Sequence, residues 1–207
     1  MPQNRASARQ EHGCRDHLLR SGVLACYCAA VFTGCAATTT FTLTPSPQSP
    51  ICQRGSQRAS AMVLWATNWR VDQKDVLDRE AAASAGIGQF FKESGCFHAV
   101  EVKRVTTAEE AAKQAAANVE TATSATVLTI VVRELGPILK LGSSAALFEG
   151  GTDVLLDLSV FDRASPGNPR RFTAHWSNGG EGVIKGVASL PADMNSALQA
   201  SLQPERR

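Results

Sequence analysis

Cys96 and His98 stand two residues apart. In an extended segment residues i and i+2 share a face, so a thiol and an imidazole at this spacing could act as nucleophile and base. No third group is in place to orient the imidazole, and Cys96 directly follows Gly95, where a helix should stop. His175 lies between Ala174 and Trp176 on the opposite parity, which suits a solvent-side histidine. Asp153, Asp157 and Asp162 lack the spacing of a calcium loop and suit a solvated strand edge. Gly86-Ile-Gly88 sits inside a helical pattern and does not join a strand to a helix N-terminus, so close helix packing explains it better than a dinucleotide loop. The stretch from Gly180 to Gly186 lacks the spacing and the following hydroxyl of a phosphate-binding loop. The chain therefore offers no catalytic motif, no metal site and no cofactor site, and it is not expected to be an enzyme.

Cys35 points to a different chemistry. Twenty polar residues carrying Arg5, Arg9, Arg15 and Arg20 precede an uncharged run, Ser21 to Gly34. That is the layout of an export signal. Phe32-Thr-Gly-Cys35 resembles a bacterial lipobox, in which small neighbours admit the peptidase and the cysteine sulfur accepts a diacylglycerol. Val23-Leu-Ala-Cys26 has a similar shape but too little apolar chain before it. Residues 1–34 are read as a lipoprotein signal peptide with Cys35 as the acylated residue. Ala36 follows it, and by resemblance to enterobacterial sorting a residue other than Asp there directs the protein to the outer membrane.

Composition agrees with export. The chain has 207 residues, 43% hydrophobic and 6% aromatic, with a formal net charge of +2. Residues 1–34 hold four arginines against Glu11 and Asp16, so the remainder is neutral and nothing favours nucleic-acid binding. No apolar run is long enough to span a bilayer. Residues 35–60 are rich in Thr, Ser, Pro and Gln and read as a tether. Two thiols remain beyond Cys35. Cys52 and Cys96 are candidates for a disulfide in an oxidising compartment; the alternative is a free Cys52 in the tether and a buried Cys96.

Residues 61–207 read as one globular domain. Ala61 to Trp69 is an apolar strand. A helix follows from Asp75, with Ala83, Ile87, Phe90 and Phe91 at helical spacing and Gly95 as its stop. Phe97 to Val105 alternates. Thr107-Ala-Glu-Glu110 is a capping box that opens an alanine-rich helix with Ala111, Ala115 and Val119 on its packing face. Residues 125–133 are β-branched and apolar, a central strand that Gly136-Pro137 should break. Residues 136–151 read as a loop, with Gly150-Gly151 and Gly179-Gly180 as turn residues around a hairpin. Strands 152–162 and 171–176 form that hairpin, and Pro191 opens a last helix striped by Met194, Leu198 and Leu202. The order β-α-β-α-β-β-β-α predicts an α/β (α+β) fold, a mixed sheet with packed helices. Trp65 and Trp69 share a strand face; core packing is their first reading, and a partner surface with Trp176 is the second.

Three stretches resemble small bacterial envelope lipoproteins of the CsgG, LpoB and TolB N-terminal type. They are the helix ending Phe90-Phe-Lys-Glu-Ser-Gly-Cys-Phe97-His-Ala-Val100, the alanine-rich helix feeding strand 125–133, and Asp153 to Asp162 with its return strand. The resemblance implies an adaptor, channel subunit or activator. The long amphipathic insertion of the pore-forming members is absent from the sequence.

These readings converge on an outer-membrane-anchored, periplasm-facing lipoprotein, a non-catalytic adaptor or accessory subunit that binds another envelope protein. The alternative is an auxiliary lipoprotein of a transport system, binding lipid or another apolar ligand. A Cys96/His98 enzyme ranks last.

Overall fold

Ala61–Thr67 (β2) forms a strand because it is an unbroken apolar run, and such a run must be covered on both faces. The computed structural model describes residues 37–46, 49–52, 60–121, 126–141, 148–163 and 167–203, with the side chains of residues 140, 141 and 148 outside the description. Strand β2 lies between Val100–Arg104 (β3) and Thr126–Leu141 (β4), parallel to both. Phe148–Asp162 (β5) and Arg170–Glu181 (β6) continue the sheet antiparallel, and Thr38–Thr44 (β1) closes its far edge. The sheet order is β1-β6-β5-β4-β2-β3. Three helices pack on it: Val76–Glu93 (α1), Ala108–Thr121 (α2) and Leu190–Leu202 (α3), the last preceded by a short 3₁₀ turn, Val187–Ser189.

This is the expected mixed sheet with packed helices, preceded by one further strand. Helices α1 and α3 cover one face, burying Ile87, Phe90, Met194 and Leu198 against Val63, Trp65, Val154, Leu156 and Leu158. Helix α2 covers the other face of the parallel half, with Ala111, Ala115 and Val119 against Leu64, Ala66 and Val127. The capping box of α2 is formed: the Glu110 amide donates to Thr107 Oγ1 at 3.1 Å and the Thr106 amide donates to Glu110 Oε2 at 3.0 Å. Gly86 lets α1 and α3 approach closely, because a Cβ there would sit 2.6 Å from Met194 Cβ and from the Pro191 carbonyl. Gly95, at φ 61°, follows the α1 C-cap in the left-handed conformation that ends helices.

Two expectations are corrected. Residues 36–60 do not read through as a tether: Thr38–Thr44 is a strand paired with β6, and Ile51 and Cys52 are buried, their amides donating to the Leu202 carbonyl at 3.0 and 3.2 Å. Their partners lie more than a hundred residues away, so no local pattern announces them. Residues 136–141 and 148–151 are likewise strand rather than loop: β4 runs on to Leu141 and β5 begins at Phe148. A bulge between Val132 and Glu134 marks where β4 parts from β2. Beyond it β4 pairs only with β5, and Pro137 is tolerated there because the strand has become an edge. Gly150 and Gly151 face Gly180 and Gly179 across β5 and β6, so they are strand residues rather than turns. A Cβ on Gly150 would collide with the Val183 carbonyl that crosses over it.

Candidate functional site

The candidates named from the sequence separate into different places. Cys35 and residues 1–34 lie outside the described residues. Cys52 and Cys96 meet: their Cα atoms are 5.2 Å apart and the sulfurs form a disulfide across 44 residues of chain. A disulfide sulfur is no thiolate, so the Cys96–His98 pairing has no nucleophile in this state. His98 is exposed beside it and lines a shallow cleft of about 360 Å³ with Phe91, Phe97 and Val102.

The tryptophans do not form a partner surface. Trp65 and Trp176 are buried in the core shared by the sheet, α1 and α3, and Trp69 packs against its margin. A tryptophan spacing on one strand cannot show that the face it lies on is covered, and here it is. Trp69 instead serves Glu80. The Trp69 indole N–H and the Thr67 hydroxyl donate to Glu80 Oε1 at 3.4 and 3.2 Å, and Arg104 binds Glu80 Oε2 at 2.6 Å while lying 5.2 Å over the Trp65 ring. Burial alone would push the Glu80 carboxyl up; the Arg104 guanidinium, with Trp69 and Thr67, outweighs it and holds Glu80 below the usual glutamate range.

Two further polar centres were not foreseen. Arg79, buried on α1, donates to the Leu135 carbonyl at 2.6 Å and the Lys74 carbonyl at 2.8 Å and pairs with Glu134 at 3.5 Å. Arg70 holds the other Glu134 oxygen at 3.3 Å. The guanidinium fills the space where a Gly136 Cβ would stand, so Arg79 pins the bulged part of β4 to α1. At the start of α3, buried Asp193 accepts from Thr152 at 2.7 Å, Ser189 at 3.0 Å and Lys185 at 2.7 Å. Lys185 in turn lies 5.8 Å from the Trp176 ring centre. Both centres are saturated with partners from the chain itself, and their chemistry is that of clamps. A buried Arg at a glycine and a Ser-x-x-x-Asp at a helix start are the signals that could have found them.

The open face of the antiparallel half is polar. Arg133 pairs with Asp157 at 3.6 Å, Thr173 donates to Asp157 at 2.7 Å, and His175 lies 3.3 Å from Asp153. Asp153, Asp157 and Asp162 thus take strand-face partners, Asp162 meeting Arg170 at 3.9 Å. Among the described residues no three His, Cys, Asp or Glu side chains gather as a metal site would require.

The two edges of the sheet differ. β3 presents Glu101, Lys103 and Arg104, charges that discourage strand addition. β1 presents Thr-Thr-Thr-Phe-Thr-Leu-Thr without one charge. Its Phe41 and Leu43 pack toward the core, its inner side pairs with β6, and no described strand lies on its outer side.

No family model matches this chain, and no curated protein matches it. Solved structures do. The PelC dodecamer from Paraburkholderia phytofirmans is similar at 14% identity over 81% of this chain and 100% of that one, with a TM-score of 0.39. Lipoprotein GNA1162 from Neisseria meningitidis is similar at 17% identity over 70% and 97%, with a TM-score of 0.38. A minor lipoprotein from Acinetobacter baumannii is similar at 13% identity over 67% and 88%, with a TM-score of 0.26. Bacterial lipoproteins are therefore among the neighbours; at these identities and scores, the function of this chain rests on its own residues.

Proposed function

We propose that the chain is a lipid-anchored, non-catalytic lipoprotein of the bacterial envelope, acylated on Cys35 and held at the periplasmic face of the outer membrane. It serves as an adaptor or accessory subunit by binding another envelope protein. The anchor is supported by the export-signal layout and by Phe32-Thr-Gly-Cys35, and the adaptor role by the resemblance to the CsgG, LpoB and TolB N-terminal group. The observation that carries the partner is the uncharged β1 edge, seven residues with every second backbone N–H and C=O turned away from β6. Such an edge accepts a strand from a partner by backbone hydrogen bonding. Since Trp65 and Trp176 are buried, the contact belongs to this edge and not to a tryptophan surface.

The test combines palmitate labelling and membrane fractionation with photo-crosslinkers at Thr42 on β1 and at Glu101 on β3. Label should be present in the wild type and lost in Cys35→Ser, and Thr42 should capture an envelope protein where Glu101 does not. Absence of label removes the anchor. Equal capture from both edges, or from neither, removes the β1 docking mode.

A further inference from the structure

The exposed large apolar side chains gather at one end of the sheet. Leu77 on α1 and Ile184 after β6 are each 82% exposed and Leu139 on β4 is 65% exposed; Val71 and Val187 are exposed too. Their places follow from the register. Leu139 pairs with Gly150, and the Val183 carbonyl next to Ile184 crosses over Gly150. Val187 opens the turn that leads into α3. Leu77 is two residues before Arg79, which binds the Leu135 carbonyl, and Val71 adjoins Arg70, which binds Glu134. All five therefore surround the end where β4 runs beyond β2. Val102, the other exposed large apolar residue described, lies away from them on β3.

The chain enters the sheet at this same end. Thr38 pairs with Gly179, Gly179 with Gly151, and Gly151 with Ile138, so the first residue of β1 stands in the row next to Leu139. From there β1 runs away toward the opposite end. Cys35 is three residues before Thr38, a reach of at most about 10 Å of extended chain. An acyl group on Cys35 would therefore be rooted within that reach of the end where the apolar side chains are. Exposed apolar clusters of this kind mark protein or membrane contacts.

We propose that this end of the domain seats directly on the lipid bilayer, with Leu77, Leu139 and Ile184 entering the interface beside the acyl anchor. The inference rests on the lipid-anchor reading for its choice of occupant. The charges nearby say how it binds. Arg70 and Lys185 are committed to Glu134 and Asp193, and Glu149 faces Glu181 across β5 and β6. Exposed Lys74 stands between Asp72 and Asp75, so the described side chains of this surface hold no unopposed cationic cluster, and seating depends on apolar burial rather than on anionic headgroups.

The experiment uses the full chain as the cell processes it, purified in detergent and reconstituted into phosphatidylcholine vesicles brominated near the acyl-chain tops. Leu139→Trp and Ile184→Trp should lose the added emission to the brominated lipid, and Val102→Trp should not; buried Trp65 and Trp176 and half-buried Trp69 supply the same background in each, and the parent protein's quenching is subtracted. Adding phosphatidylglycerol should leave the quenching unchanged. In a Cys35→Ser background, Leu139→Gln with Ile184→Gln should lower vesicle flotation on the order of tenfold, the scale of withdrawing two apolar side chains from an interface. Circular dichroism that matches the parent excludes misfolding as the cause. No quenching at 139 and 184 overturns the proposal, and crosslinks between Ile184 positions of two copies without quenching assign the end to self-association instead. Palmitate label on Cys35 without quenching retires the seating and keeps the anchor. Quenching without label retires the anchor and keeps the seating.

Discussion

The two halves of the sheet meet the same demand for burial in opposite ways. In the parallel half β2 has helices on both sides: Val63 and Trp65 face α1 and α3, while Leu64 and Ala66 face α2. Every residue from Val63 to Ala66 is accordingly buried and apolar. In the antiparallel half one face is covered along its length and the other only at Phe161, which packs with α2. Val154, Leu156, Leu158 and Val160 go inward, and Asp153, Asp157, Thr173 and His175 stand on the open face. Continuous apolar runs therefore mark the closed half and alternation marks the open one. The β1 edge belongs to the open half, as do Leu139 on β4 and Ile184 after β6; Leu77 and Val71 join them from the side of α1.

The largest effect should come from cutting the covalent link between the halves. The chain passes from β1 to β2 through Ile51 and Cys52, and the disulfide to Cys96 fixes that passage to the end of α1. Cys52→Ala should cost about 4 kcal/mol, the loop-closure value for the 44-residue separation. Denaturant unfolding of wild type with and without reductant should reproduce the loss, and a reductant-insensitive midpoint would remove the link. Next in size, Leu64→Ala in the closed half should cost about 3 kcal/mol and Leu155→Ala on the open face less than about 1 kcal/mol. Equal costs would mean that the open face is covered in solution.

The smallest effect is electrostatic and belongs to the closed half. Glu80 titrates below its ordinary range in the folded protein, so its contribution is present above the unfolded-state value and is lost as pH falls through the folded-state one. Melting temperatures of wild type and Glu80→Gln should therefore differ most near neutral pH and converge in acid. A gap that widens in acid would reverse the sign assigned to the Arg104 contact.

Much of this architecture is legible residue by residue. The buried stripes of the three helices, Gly95 as a stop, the Thr107–Glu110 cap and the inward positions of β5 follow from local periodicity, and local periodicity is what those elements use. β1 is not legible because it carries only two inward apolar residues, Phe41 and Leu43, among threonines and before Pro45, a pattern shared with linkers. The extension of β4 is hidden by Gly136-Pro137, which reads as a break unless one knows that β2 has already ended and that Arg79 needs the missing Cβ. The β1 edge could not be found from the sequence for the same reason that β1 could not. The tryptophans follow their first reading, core packing; the second, a shared surface, fails because alternation reports a shared face and not what lies against it.

The partnership of β1 with β6 also sets an order of assembly. Thr38 pairs with Gly179, so the first described strand cannot pair until the last described strand is in place beside β5. Contacts of such long range form late, after loop closure over most of the chain. During that interval the nascent segment stands unpaired, and an unpaired strand rich in valine or isoleucine would invite aggregation. Threonine keeps the branched shape that suits a strand while remaining at ease in water. Five threonines in seven residues let β1 wait without sticking and then zip onto a completed sheet.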